Sequence, residues 1–176
     1  MKKFKLIKII YSDICFYSEA SFTSKIKTFF LKANFHLLFW YRISNKIKNT
    51  KLAFLNVFIK YLCQILYSSE ISPNSEIGKN LMLPHPLGII IGENVVIKNN
   101  VTIFQQVTLG AKGNNESKEY PVIEDNVKIF IKASIIGKVL IGENSIIGAH
   151  SLVNKDTEKN SINAGIPAKK VASVEK

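Results

Sequence analysis

Cysteine is nearly absent from this chain of 176 residues, where Cys15 and Cys63 stand alone. The two make neither a metal-ligand spacing nor a disulfide framework, so a reduced, cytoplasmic setting is the expectation. Histidine is scarce as well, at His36, His85 and His150. Three ligands so scattered do not compose a metal site, and no metal is expected. Arginine occurs once, at Arg42. Acidic residues number 13 against 24 Lys and Arg, a formal charge of +11. That imbalance is local: residues 1–70 carry +9 and residues 71–176 only +2. Lysines without a recognisable nucleic-acid motif give a weak electrostatic signal, so nucleic acid is not an expected partner. No apolar run reaches the roughly twenty residues of a membrane span. The apolar patch near the start is interrupted by Lys8 and Asp13, too soon for a signal peptide.

What is present is a period of six. An aliphatic residue returns at Ile71, Ile77 and Leu83, then at Ile91, Ile97, Ile103 and Leu109, then at Ile123, Ile129, Ile135, Ile141, Ile147 and Val153. Four residues after most of these sits a small or β-branched residue: Ser75, Val95, Val101, Val107, Val127, Ala133, Val139, Ser145 and Ser151. Asn marks the turns at Asn74, Asn80, Asn94, Asn100, Asn126 and Asn144. Six fits neither an α-helix nor a lone alternating strand. It fits a β-solenoid, each hexad supplying one short strand and a corner, with both repeated positions facing inward. A sandwich of short strands would place its turns every 8–12 residues. The period breaks twice. Two extra residues enter beside His85, and a polar segment, Ala111–Pro121, leaves the wall as a loop. Loops on a rigid repeat scaffold are where function concentrates.

Ahead of the solenoid the pattern is helical. Apolar residues recur at mostly three and four from Ser24 to Ile47, and a second helix is expected over about Lys51–Leu66. The domain reading is therefore a small α-helical domain over 1–68 and a mainly β domain over 69–176, carrying a loop at 111–121 and a C-terminal tail. Terminal repeats need capping, and basic helices serve that purpose. Peripheral contact with an anionic membrane surface is the competing use of the same residues.

His85 lies in LPHPLG, where proline on each side restricts the backbone. Imidazole is the natural general base for a hydroxyl acceptor near neutral pH. The residues alone leave open that it is an exposed turn histidine.

Five stretches decide the question: EISPNSEIG (70–78), LPHPLGIIIGE (83–93), NVTIFQQVTLG (100–110), ASIIGKVLIGENSIIGAHSLV (133–153) and GIPAKKV (165–171). In this order the chain resembles the serine acetyltransferase branch of the hexapeptide-repeat acyltransferases, and FHLLFWYRIS (35–44) resembles that branch's helical domain. The resemblance implies a left-handed parallel β-helix and direct acetyl transfer from acetyl-CoA to a hydroxyl, with His85 as base. It also implies that Glu70, fifteen residues earlier, orients the ring where the family has an aspartate. A carboxylate there would fix the tautomer and stabilise the imidazolium. Acetyl-CoA is expected along the solenoid wall between subunits of a homotrimer, near Gly110 and Ala133. Lys169 and Lys170 are candidates for its phosphates, a solvated tail being the alternative. Pairing of trimers through the front helices stays open.

The chain departs from the family at two places. Pro84 stands where a second acidic residue precedes the histidine, and Glu119-Tyr120 stands where an Arg-His pair precedes the proline. A serine zwitterion would lose a charge partner at each. The expectation is therefore an O-acetyltransferase acting on a sugar or surface-polysaccharide acceptor, with Tyr120 and Glu119 at the substrate. Serine O-acetyltransferase is the alternative, and a non-catalytic solenoid scaffold is a third reading.

Overall fold

The computed structural model describes residues 6–113 and 119–175. Four helices, α1 (Leu6–Tyr17), α2 (Phe22–Leu31), α3 (Ala33–Ile47) and α4 (Leu55–Tyr67), precede every strand. A left-handed parallel β-helix follows, with three flat faces. One face stacks β1 (Glu70–Ile71), β3 (Ile90–Ile91), β6 (Thr108–Gly110), β9 (Ser134–Ile136) and β12 (Leu152–Val153). The second stacks β2 (Glu76–Ile77), β4 (Val96–Ile97), β7 (Val122–Ile123) and β10 (Leu140–Ile141). The third stacks β5 (Thr102–Ile103), β8 (Lys128–Ile129) and β11 (Ile146–Ile147), then closes with the hairpin β13 (Ser161–Gly165) and β14 (Ala168–Ser173). All pairings are parallel except β13 with β14.

Register explains the hexad. Ile71, Ile91, Leu109, Ile135 and Val153 are successive partners in one column. Ile77, Ile97, Ile123 and Ile141 form the second. Ile103, Ile129 and Ile147 form the third, which ends on the buried Asn163. Every leading aliphatic from Ile77 onward is buried, and Ile71 packs against the same core half-buried. Each such side chain contributes about 1.5–3 kcal/mol on leaving water. The small residues four places later are buried too, Ser75 to Ser151 alike, because the corners leave no room for bulk. Asn80, Asn94, Asn100, Asn126 and Asn144 all adopt φ between 55° and 61°. The left-handed region is costly for most residues, and asparagine visits it most readily after glycine. One corner is also a ladder: Asn80, Asn100, Asn126, Asn144 and Asn160 pass side-chain hydrogen bonds up the stack at 2.8–3.2 Å.

The helical segment differs from its sequence reading in two ways. The stretch 24–47 is two helices, because Lys32 is extended (φ −93°, ψ 105°) and the Asn34 side chain caps the Phe35 N–H. The residues before Tyr17 form a helix of their own, whose role depends on distant partners. The open end of a solenoid presents unpaired carbonyls, which must find donors. Tyr17 donates to Leu81 O at 2.7 Å and accepts from Leu83 N at 2.9 Å. Tyr41 donates to Ser75 O, and Asn45 to Pro73 O and Ser75 O. Arg42 donates to Ile77 O and Gly78 O, both at 2.7 Å, and to the Asp13 carboxylate at 3.0 Å. Helices α1 and α3 thus cap the first coil. Burial raises the Asp13 carboxyl above its ordinary range, and the Arg42 guanidinium opposes that shift.

Candidate functional site

The corner between the third and first faces carries His85. The serine before Glu70 holds it in place: Ser69 Oγ, buried, lies 3.1 Å from Pro86 O and 3.0 Å from Tyr67 O, and accepts the Ile89 N–H at 3.0 Å. Gly88 N donates to Tyr67 O, and Leu87 N donates to His85 O. The two extra residues therefore form a tight turn pinned to the end of α4, and the His85 side chain is exposed on its outside. The next coil stacks directly on it, since Ile103 N donates to Met82 O and Gln106 N donates to Leu87 O. On that coil Gln105 has a buried Oε1 with no partner among the described residues.

Glu70 opens β1, which pairs with β3 just past the histidine turn. Its carboxylate binds Lys60 at 2.7 Å and accepts from Gln64 Nε2 at 3.0 Å. Both partners belong to α4. Glu70 also lines a groove of about 410 Å³ between α3, α4 and the first two coils, with Lys60, Tyr41, Cys63, Ser72 and Glu93. His85 is not part of that wall.

Tyr120 packs half-buried against the wall, its ring so close to Gly92 that a Cβ there would lie 2.8 Å from it. Glu119 is exposed and pairs with Lys138 at 3.1 Å. Of the loop expected over 111–121, residues 114–118 lie outside the described residues. Gly110 closes β6, with the Ile136 side chain beside it. Ala133 has no exposed surface and uses both backbone groups, N–H to Phe130 O and carbonyl from Thr108 N. Lys169 and Lys170 lie exposed on β14, and Lys170 pairs with Glu158 at 2.6 Å. His150 is an exposed corner residue with φ 58°, and His36 bonds Phe29 O on the helical side.

A three-faced coil of hexads with an exposed histidine on a pinned turn is the frame on which the comparisons bear. The family model "Bacterial transferase hexapeptide (six repeats)" matches residues 120–155. A curated serine acetyltransferase from Bacillus licheniformis is 33% identical over 159 residues, which is 90% of this chain and 74% of that protein. The solved serine acetyltransferase of Neisseria gonorrhoeae superposes with a TM-score of 0.87 at 31% identity, covering 97% of this chain and 68% of that one. A serine acetyltransferase solved in complex with CoA superposes with a TM-score of 0.82 at 28% identity, covering 94% and 69%. The chain belongs to the serine acetyltransferase family and is an acyltransferase.

That result corrects the acceptor. The sugar or polysaccharide expectation rested on charges missing at Pro84 and in the Glu119-Tyr120 pair, and the relatives at this similarity are serine acetyltransferases. The inference weighed only the charges at two motif positions, whereas folding brings charged side chains together from distant elements, as Lys60 of α4 meets Glu70 of β1. Two positions are too few to decide how an amino acid is held.

Proposed function

We propose that this chain transfers acetyl from acetyl-CoA to the hydroxyl of serine, with His85 as general base. The observation that carries the reading is the position of His85: exposed, flanked by two prolines and anchored through Ser69 to the end of α4. The serine oxygen attacks the thioester carbonyl carbon as its proton passes to the imidazole. The C–S bond then breaks, and the CoA thiolate takes the proton back. A positioned base of this kind is worth about 10²–10⁴ in rate.

Glu70 belongs to the same site in this reading. Its carboxylate rests on Lys60 and Gln64, so orienting His85 requires it to exchange those partners when substrate arrives. Gly110 gives the donor a low wall to lie along, with Ala133 supporting that wall from inside, and Lys169 and Lys170 are the cations for its phosphates. Tyr120, packed against Gly92, and Glu119, paired with Lys138, are read as the residues on the acceptor side. We read the assembly as a homotrimer built on the solenoid. The division into a helical unit over 1–68 and a solenoid unit over 69–176 follows the change from α4 to β1. No described helix is long and apolar enough to cross a membrane. Exposed Phe58, Tyr61 and Ile65 on one side of α4, with Phe54 at its N-cap, support surface contact, with another subunit or a lipid headgroup layer.

The test is thiol release from acetyl-CoA with L-serine. His85→Ala should lower kcat by about 10²–10⁴ with little change in donor KM. Wild-type turnover on a sugar and none on serine would sink the reading.

A further inference from the structure

Above the histidine turn the same corner carries two aromatic rings. Phe104 and Phe130, on consecutive coils, stack with centroids 4.9 Å apart and planes 7° from parallel. Their backbones belong to one column: Phe104 N donates to Ile129 O, Phe130 N to Ile147 O and Gly148 N to Asn163 O, all at 2.8–2.9 Å. The rung above Phe130 is therefore Gly148, which has no side chain. A Cβ there would lie 3.0 Å from the Ala164 methyl, so that rung is kept bare by its neighbour. Phe130 has one face on Phe104, yet it stays 36% exposed. Coils repeat at about 4.8 Å, the spacing of paired strands. One planar ring fits the empty rung in register, continuing the stack.

Two further features flank that rung. Lys169 of β14 is the register partner of Ala164, next to the gap. Lys170 is tied to Glu158, whereas among the described residues no carboxylate pairs with Lys169. The histidine turn lies three rungs down the column, roughly 14 Å away. A ligand with a reactive end at His85, a flexible arm, and a planar base beside a phosphate would span the distance.

We propose that the open face of Phe130 is the stacking platform for the adenine of CoA, and that Lys169 meets a phosphate of the same nucleotide. The assignment rests on acetyl-CoA as the donor but not on serine as the acceptor. Stacking of a base on an aromatic side chain is sequence-tolerant and substantial. It recognises the nucleotide half of the donor and leaves the thioester half untouched.

The experiment uses adenosine 3′,5′-bisphosphate, the nucleotide portion of CoA, titrated calorimetrically into the full chain. The wild type should bind it, Phe130→Ala should bind about tenfold more weakly, and Phe130→Tyr should restore binding. In parallel, the ratio of kcat/KM for acetyl-CoA to that for acetylpantetheine should fall about tenfold in Phe130→Ala. Nucleotide binding unmoved by Phe130→Ala overturns the proposal. So does an unchanged donor ratio, or a loss explained entirely by subunit dissociation in light scattering. Nucleotide binding with this dependence in a protein that fails to acetylate serine would uphold the platform and sink only the acceptor reading.

Discussion

The solenoid and the helices in front of it are stabilised in opposite ways. In the solenoid each coil repeats the contacts of the last, so Ile97, Ile123 and Ile141 do one job three times over. Stability in such an array is close to a sum of repeat and neighbour terms. The helical segment has no such redundancy. Beside the apolar packing of Leu37 and Leu38 and the α4 contacts to Glu70, the carbonyls of the first coil are met by single polar side chains, Tyr17, Tyr41, Arg42 and Asn45. Damage should therefore be graded in one region and abrupt in the other.

The largest effect is expected at Arg42. It is 5% exposed, and its partner Asp13 is 2% exposed. Replacement by Met leaves a buried carboxylate, the buried Ile77 carbonyl and the part-buried Gly78 carbonyl without their donor. Breaking a buried pair from one side costs roughly 3–5 kcal/mol. Urea unfolding of Arg42→Met should show that loss, with far-UV signal from the helices lost before that from the solenoid. Coincident transitions with a loss under 1 kcal/mol would mean that the two regions are not joined in this way. The pH dependence has a sign as well. Because the folded Asp13 carboxyl titrates above its ordinary range, its contribution favours the folded state below the unfolded carboxylate pKa. That contribution is lost as pH rises through the folded value.

The same contrast decided what could be read from the sequence. Inward positions from Ile77 to Val153, the small residues of the corners and the asparagine turns all follow one period, and each was legible because a repeat reports itself many times. The break at Lys32 and the helix ending in Tyr17 follow no period. The first is a local matter of Lys32 and Asn34, and the reason for the second lies some sixty residues away, in Leu81 and Leu83, where Tyr17 finds its partners. His85 was legible as a site because it interrupts the period between two prolines. The partners of Glu70 were not, since Lys60 and Gln64 reach it from α4 only after folding. The aromatic pair Phe104–Phe130 was visible only as two residues 26 apart, a separation that becomes one coil once the loop is subtracted.

A smaller effect is expected in the middle of the asparagine ladder. Asn126 has φ 61°, donates to Asn144 and accepts from Asn100. Asn126→Ala forfeits both bonds and the short polar side chain that makes left-handed backbone tolerable to a residue with a Cβ, at about 1–2 kcal/mol. Asn126→Gly forfeits the bonds but not the backbone tolerance, and should recover about half of that. Equal melting temperatures for the two variants would remove backbone conformation as the reason asparagine occupies these corners.

The smallest effect needs no substitution. Both cysteines lie in the helical segment, Cys15 exposed on α1 and Cys63 buried on α4. Burial pushes the Cys63 thiol up to about 11, so at neutral pH it is both covered and protonated. The thiolate is the reacting species. Iodoacetamide at neutral pH should therefore add one group to the native chain, at Cys15, with Cys63 modified only as α4 leaves the first coil. The rate at Cys63 then reports that opening directly. In Arg42→Met it should rise steeply if α1, α3 and α4 detach together. A Cys63 that reacts as fast as Cys15 in the native protein would show that α4 leaves the coil readily even with Arg42 in place, and the docking contacts would then count for little.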